Sequence, residues 1–116
     1  MITWLDDFLA IAEASDKVNH PAYWNNFIDV RAYFNEDGPK LELLQLIDWI
    51  LKRLANGQAC ILYCDDGIEQ SPFVAALVLA NFYGTTLQFA YDYVKERRPQ
   101  VIQHLEWLQQ LGLEVA

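Results

Sequence analysis

Apolar residues along this chain recur in two different periods, and the switches between them outline the elements. From 41 to 54, Leu41, Leu44, Ile47, Ile50 (or Leu51) and Leu54 return at steps of three and four. That spacing predicts an amphipathic helix, and Asn56-Gly57 supplies a stop at its C-terminal end. Residues 59–63, Ala-Cys-Ile-Leu-Tyr, are too few and too uniformly apolar for a surface helix; they predict a central strand buried on both faces. A second helical pattern, 73–82, is opened by Pro72, whose missing N–H costs nothing in a first helical turn. Helices are also predicted at about 87–97 and 103–111, with Pro99 breaking between them.

The first third is less decisive. Thr3-Trp4-Leu5-Asp6 has the form of a capping box ahead of a stripe formed by Trp4, Leu5, Phe8, Leu9 and Ala12. The same residues also suit a short strand over 8–12, and pattern alone leaves both open. Phe27-Ile28-Asp29-Val30 predicts a buried strand. Asn35-Glu36-Asp37-Gly38-Pro39 is dense in turn formers and predicts an exposed loop. Strands alternating with helices give an α/β class, with a mainly parallel central sheet flanked by helices in a single domain spanning 1–116.

Composition narrows the function classes. The 116 residues carry 16 acidic and 8 basic side chains, a net charge of −8, which offers nucleic acid or an anionic membrane no basic patch to neutralise. No apolar run approaches the roughly 18 residues of a membrane span, and the start carries no signal-peptide pattern, so the expectation is a soluble cytoplasmic protein. Cys60 and Cys64, four residues apart on one strand, would be separated by ~13 Å, too far for a disulfide. His20 and His104 stand alone in sequence, with no second Cys/His pair for zinc, so neither a metal nor a cofactor is expected.

The chemistry is concentrated in Cys64-Asp65-Asp66-Gly67-Ile68-Glu69-Gln70-Ser71-Pro72. A cysteine at a strand end, a loop with one central glycine, and Ser-Pro opening a helix would curl backbone N–H groups about an anion at a helix N-terminus. In open α/β sheets, ligands bind beyond the carboxyl ends of the strands, where this loop falls. The segment resembles the phosphate-binding loop of cysteine-dependent phosphatases, written His-Cys-x5-Arg-Ser. The order of 28–31, 35–39, the loop and Lys95-Glu96-Arg97-Arg98-Pro99 resembles a small dual-specificity-type protein tyrosine phosphatase over most of 25–111.

That resemblance implies Cys64 as nucleophile, Asp37 as general acid and Ser71 as the hydroxyl easing thiolate departure. Asp65, Asp66, Gly67, Ile68, Glu69 and Gln70 would form the substrate cradle. Two family residues are replaced: Tyr63 stands for the histidine and Gln70 for the arginine. Glutamine brings one neutral amide where a guanidinium would grip two phosphoryl oxygens; even one lost oxyanion donor costs about 10²–10³ in rate. Tyrosine supplies no cation to activate the cysteine. Asp65, Asp66 and Glu69 add carboxylates, each like-charge pair at ~6 Å opposing a bound dianion by about 1–3 kcal/mol, less where the side chains point into water.

The expectation is therefore a catalytically impaired phosphatase fold, a pseudophosphatase acting by binding a protein or phosphoprotein partner. The alternative is a weak or specialised phosphatase hydrolysing phosphomonoesters through a Cys64 phospho-cysteine, with Gln70 as neutral donor. A third reading is an acidic module capturing a basic peptide or a cation. Plainer roles stand beside these: Cys64 as an unreactive buried thiol, Asp37 as a turn residue capping the next helix, Asp65, Asp66 and Glu69 as a solvated acidic loop, and Arg97 and Arg98 as structural cations. The four tryptophans read as core or interface aromatics.

Overall fold

In a computed structural model, residues 1–113 are described. A four-stranded sheet has the order β1 (Thr3–Trp4), β2 (Leu9–Glu13), β6 (Cys60–Cys64), β3 (Phe27–Asp29). β6 pairs in parallel with both β2 and β3, while β1 closes the β2 edge antiparallel and β2 runs on into a short helix, α1 (Ala14–Asn19). The mainly parallel α/β architecture expected from the alternation of patterns is the one observed.

β6 is central because every one of its residues is buried, a property only a strand with neighbours on both edges and layers on both faces can sustain. Its alternation divides the core. Cys60, Leu62 and Cys64 face the main cluster formed with α2 (Leu43–Ala55), α3 (Gln70–Tyr83) and α4 (Leu87–Arg97). Ile61 and Tyr63 face a smaller cluster of Ala10, Ala12 and Phe27. Cys64 is thereby aimed at α3, and Cys60 and Cys64 are both free thiols.

The alternatives left open over 3–12 resolve as strand. The run Leu9–Ala12 is fully enclosed between β1 and β6, whereas a helix would have left half of it to solvent. Asp6 caps the turn instead, its Oδ1 accepting the N–H groups of Phe8 (2.8 Å) and Leu9 (2.7 Å). α2 begins two residues later than the periodicity suggests; Leu41 lies in the preceding turn, exposed. α3 is apolar around its whole circumference, buried from Ser71 to Leu79, and ends on Gly84 in the left-handed region at φ 68°. α4 has the predicted bounds, with the Thr86 hydroxyl accepting the Phe89 N–H (3.1 Å).

Two differences concern the site. Residues 35–39 form the turn of a small hairpin, β4 (Phe34–Asn35) with β5 (Gly38–Pro39), and Gly38 and Pro39 are buried rather than exposed. A Cβ on Gly38 (φ 131°) would come within 2.7 Å of the Trp107 ring, so the hairpin docks through a backbone only glycine permits. The predicted helix over 103–111 is instead a 3-10 segment, Leu105–Leu111, whose Trp107 packs against Phe34 and Phe73. Among the described residues no helix is long and apolar enough to cross a membrane.

Candidate active site

The carboxyl end of β6 delivers Cys64 to the first turn of α3. The thiol is buried; it donates to Ser71 Oγ at 3.3 Å and accepts the Ser71 N–H at 3.3 Å. Ser71 is completely enclosed, so its hydroxyl and amide are fixed toward the sulfur. Between them the chain curls outward as 65–69, with Gly67 at φ 69°. A Cβ there would lie 2.7 Å from Arg98 Nη2 and 3.0 Å from the Ala12 carbonyl oxygen. The glycine is needed because the loop is pressed onto the end of β2, a constraint separate from any approach to phosphate.

The loop acids have distinct fates. Asp65, exposed, accepts Arg31 Nη1 at 2.7 Å, and the same guanidinium holds Asp29 at 2.8 Å. Burial works against the Asp29 anion, but Arg31 outweighs it and keeps the carboxyl below its ordinary range. Glu69 accepts His104 Nε2 at 2.7 Å, and Glu106 meets His104 Nδ1 at 2.7 Å. Asp66 Oδ1 accepts the Ile68 N–H at 2.9 Å and lies 3.7 Å from Cys64 Sγ. Asp65 and Asp66 are exposed and Glu69 partly so, as a solvated acidic loop requires; within it two carboxylates are also ion-paired and the third lies beside the thiol.

Arg98 and residues after α4 clamp the outside. Arg98 Nη1 donates to Met1 O (2.8 Å) and Thr3 Oγ1 (2.9 Å), and Nη2 to the Asp66 carbonyl (3.3 Å). Ile102 N–H donates to Ile68 O at 3.0 Å. Arg98 thus ties the loop to the N-terminal strand, the structural role expected of it. Gln70 is the half-buried first residue of α3. Tyr63 points to the opposite face of β6, its ring edge-on to Phe27 (5.8 Å) and flanked by Arg31 (5.4 Å) and Lys17 (5.7 Å).

Asp37 sits at the exposed tip of the β4–β5 hairpin. Its N–H donates to Asn35 Oδ1 (2.9 Å) and its carbonyl accepts from Gln110 Nε2, so it shapes a hairpin turn rather than capping α2. Sequence reasoning gave His104 no role, yet this residue connects the parts: it stacks on Trp107 (3.9 Å, 8° between planes) while gripping Glu69. Trp107 in turn seats the hairpin that carries Asp37. The local signal was thin, since His104 and Glu69 are 35 residues apart.

His104 also gives the site a pH dependence. Burial opposes the imidazolium, but hydrogen bonds to Glu106 and Glu69 and their charges outweigh it, raising the pKa above its ordinary 6.5. Its stabilisation is complete below 6.5 and is lost as pH rises through the folded value. Glu106, held below 4.5 chiefly by its bond to His104, acts oppositely: its contribution is present above 4.5 and lost in acid. We expect the melting temperature of the wild type to fall as pH rises above about 6.5, and His104→Gln to flatten that slope. Equal slopes in both proteins would contradict the assignment.

No cluster of three His, Cys, Asp or Glu suited to a metal ion occurs among the described residues. A cavity of about 410 Å³ lies at the other end of α3, lined by Asp6, Leu79, Tyr83, Phe89 and Tyr93, and shares nothing with the loop. A hollow of about 370 Å³ lined by Thr3, Glu13, Asp66, Ile68 and Arg98 adjoins it. The loop is the better candidate, because the Cys64 thiol, the Ser71 hydroxyl and backbone N–H groups converge there, whereas the cavity at the other end of α3 is mostly apolar.

Comparison with known proteins agrees with this geometry. No protein-family model matches the chain. Human protein phosphatase Slingshot homolog 2 is 29% identical over 93 residues, 80% of this chain, which spans only 6% of that relative's length. A mouse putative dual specificity phosphatase solved with zinc tungstate superposes with a TM-score of 0.75 at 19% identity, over 96% of this chain and 84% of the other. The human tyrosine phosphatase-like serine/threonine/tyrosine-interacting protein gives 0.75 at 15% identity, over 96% and 93%. With a parallel sheet delivering a cysteine to a loop that opens a buried helix, this chain has the fold of the dual-specificity-type protein tyrosine phosphatases.

Proposed function

We propose that this protein is a pseudophosphatase, a phosphatase fold kept for binding a protein partner rather than for hydrolysis. One observation carries the reading: the two guanidinium groups at the loop are engaged elsewhere, while Gln70 stands where the resemblance puts the phosphate clamp. Arg31 is bound to Asp29 and Asp65, and Arg98 to Met1, Thr3 and the Asp66 carbonyl. A phosphoryl group entering the loop would find neutral backbone donors and carboxylates, without the bidentate cation that stabilises charge in the transition state. A fold neighbour whose name describes it as phosphatase-like and interacting offers a precedent for such use.

The competing reading, a weak phosphatase, draws on Ser71, whose hydroxyl and amide both lie 3.3 Å from the Cys64 sulfur and would stabilise a departing thiolate. In that reaction the S–P bond forms as the ester P–O bond breaks, and Asp37 protonates the leaving oxygen. Intact-mass analysis after incubation with p-nitrophenyl phosphate separates the two. The pseudophosphatase reading expects no phosphoryl adduct; an adduct on the wild type that is missing from Cys64→Ser would overturn it.

A further inference from the structure

The loop carries its own anion. Asp65 is drawn aside by Arg31 and Glu69 by His104, each at 2.7 Å, so neither carboxylate is directed at the thiol. Asp66 has no cationic partner among the described residues. Its Oδ1 takes the Ile68 N–H at 2.9 Å and stands 3.7 Å from Cys64 Sγ. A loop amide and the sulfur are the two groups a phosphoryl oxygen would meet in such a cradle. From this convergence we propose that the Asp66 carboxylate is a built-in occupant of the loop, which an external tetrahedral oxyanion must displace in order to bind.

The backbone around Asp66 is fixed in a way that favours this. Its carbonyl is held by Arg98 Nη2 at 3.3 Å. The following residue, Gly67, takes φ 69° with no room for a side chain between Arg98 and β2. The next carbonyl, of Ile68, is pinned by the Ile102 amide at 3.0 Å. The peptide that positions the carboxylate is therefore held from one side, while on the solvent-open side of the loop the exposed carboxylate takes the Ile68 amide in place of water or an incoming oxyanion. Displacing it requires breaking that bond, and leaving it in place sets two like charges against one another. Oxyanion binding is accordingly suppressed by occupancy as well as by the missing clamp.

The inference rests on the loop being a degenerate phosphate cradle, as proposed above, so the test separates the two. Tungstate affinity is measured by calorimetry on the full chain, for Asp66→Ala and Asp66→Asn in both the wild-type and Gln70→Arg backgrounds. Both substitutions remove the same charge, but asparagine keeps an oxygen for the Ile68 amide and alanine vacates it. Occupancy predicts a gain of roughly tenfold or more for Asp66→Ala, with Asp66→Asn between it and the parent. Equal gains would reduce the effect to charge and overturn occupancy. No gain in either background, with Gln70→Arg itself binding tungstate, would overturn occupancy and leave the cradle standing. Absence of binding in every protein, the Gln70→Arg/Asp66→Ala double included, would remove the cradle and the proposal with it. If Asp66→Ala does not fold by circular dichroism, Asp66→Gly substitutes: it too leaves the Ile68 amide and the sulfur without a side-chain partner, and the same gain is expected.

Discussion

Gln70→Arg combined with Asp66→Ala should give the chain measurable phosphomonoesterase activity, with kcat/KM for p-nitrophenyl phosphate rising about 10²–10³-fold or more above the wild-type background. The first substitution supplies the bidentate cation at the first residue of α3, and the second clears the amide and sulfur that Asp66 engages. Neither change alone should suffice: a guanidinium introduced beside an occupied loop would bind the resident carboxylate, and an emptied loop without a cation would hold a dianion weakly. The restored activity should disappear on adding Cys64→Ser. It should fall about 10²–10⁴-fold on adding Asp37→Asn, if the hairpin aspartate protonates the leaving group as the resemblance implies. A double variant that binds tungstate yet stays at background would place the defect elsewhere, with Tyr63 the first residue to change.

The second large effect concerns stability. Phe73 is fully buried in the first turn of α3. It meets Trp107 edge-on (5.3 Å), Phe34 edge-on (6.4 Å) and Tyr91 at a tilt (6.2 Å). These partners come from the C-terminal 3-10 segment, the hairpin and α4, so one ring joins three elements to the start of α3. Phe73→Ala should cost about 3–5 kcal/mol, a large share of the 5–15 kcal/mol typical of a whole domain. Urea denaturation followed by tryptophan fluorescence would show it as a lowered midpoint; a loss below about 1 kcal/mol would mean the aromatic cluster collapses around the gap.

Much of the scaffold was legible because it rests on short-range regularities. The uniform burial of β6, the Asn56-Gly57 stop after α2, and Pro72 in the first turn of α3 are each written within a few residues. The strand over Leu9–Glu13 was ambiguous because its enclosure depends on β1 and β6, one of them some fifty positions away. The segment over 103–111 has helical spacing but winds as a 3-10 turn, with Trp107 seated between Phe34 and Phe73. At the site, residue identities were readable and their orientations were not. The pairing of Asp65 with Arg31 spans 34 residues and that of Glu69 with His104 spans 35. Which carboxylate lies beside the thiol follows from those pairs and from the clamp on the Asp66 carbonyl, and no local pattern encodes either.

The loss of chemistry with retention of the fold is the central claim, and steady-state turnover tests it most directly. Purified wild type and Cys64→Ser are to be compared on p-nitrophenyl phosphate from mildly acidic to neutral pH, with folding of both verified by thermal melting. Indistinguishable rates at every pH are predicted. A wild-type rate clearly above that of Cys64→Ser would show that Gln70 and the backbone donors suffice for phosphoryl transfer, and the protein would be an enzyme.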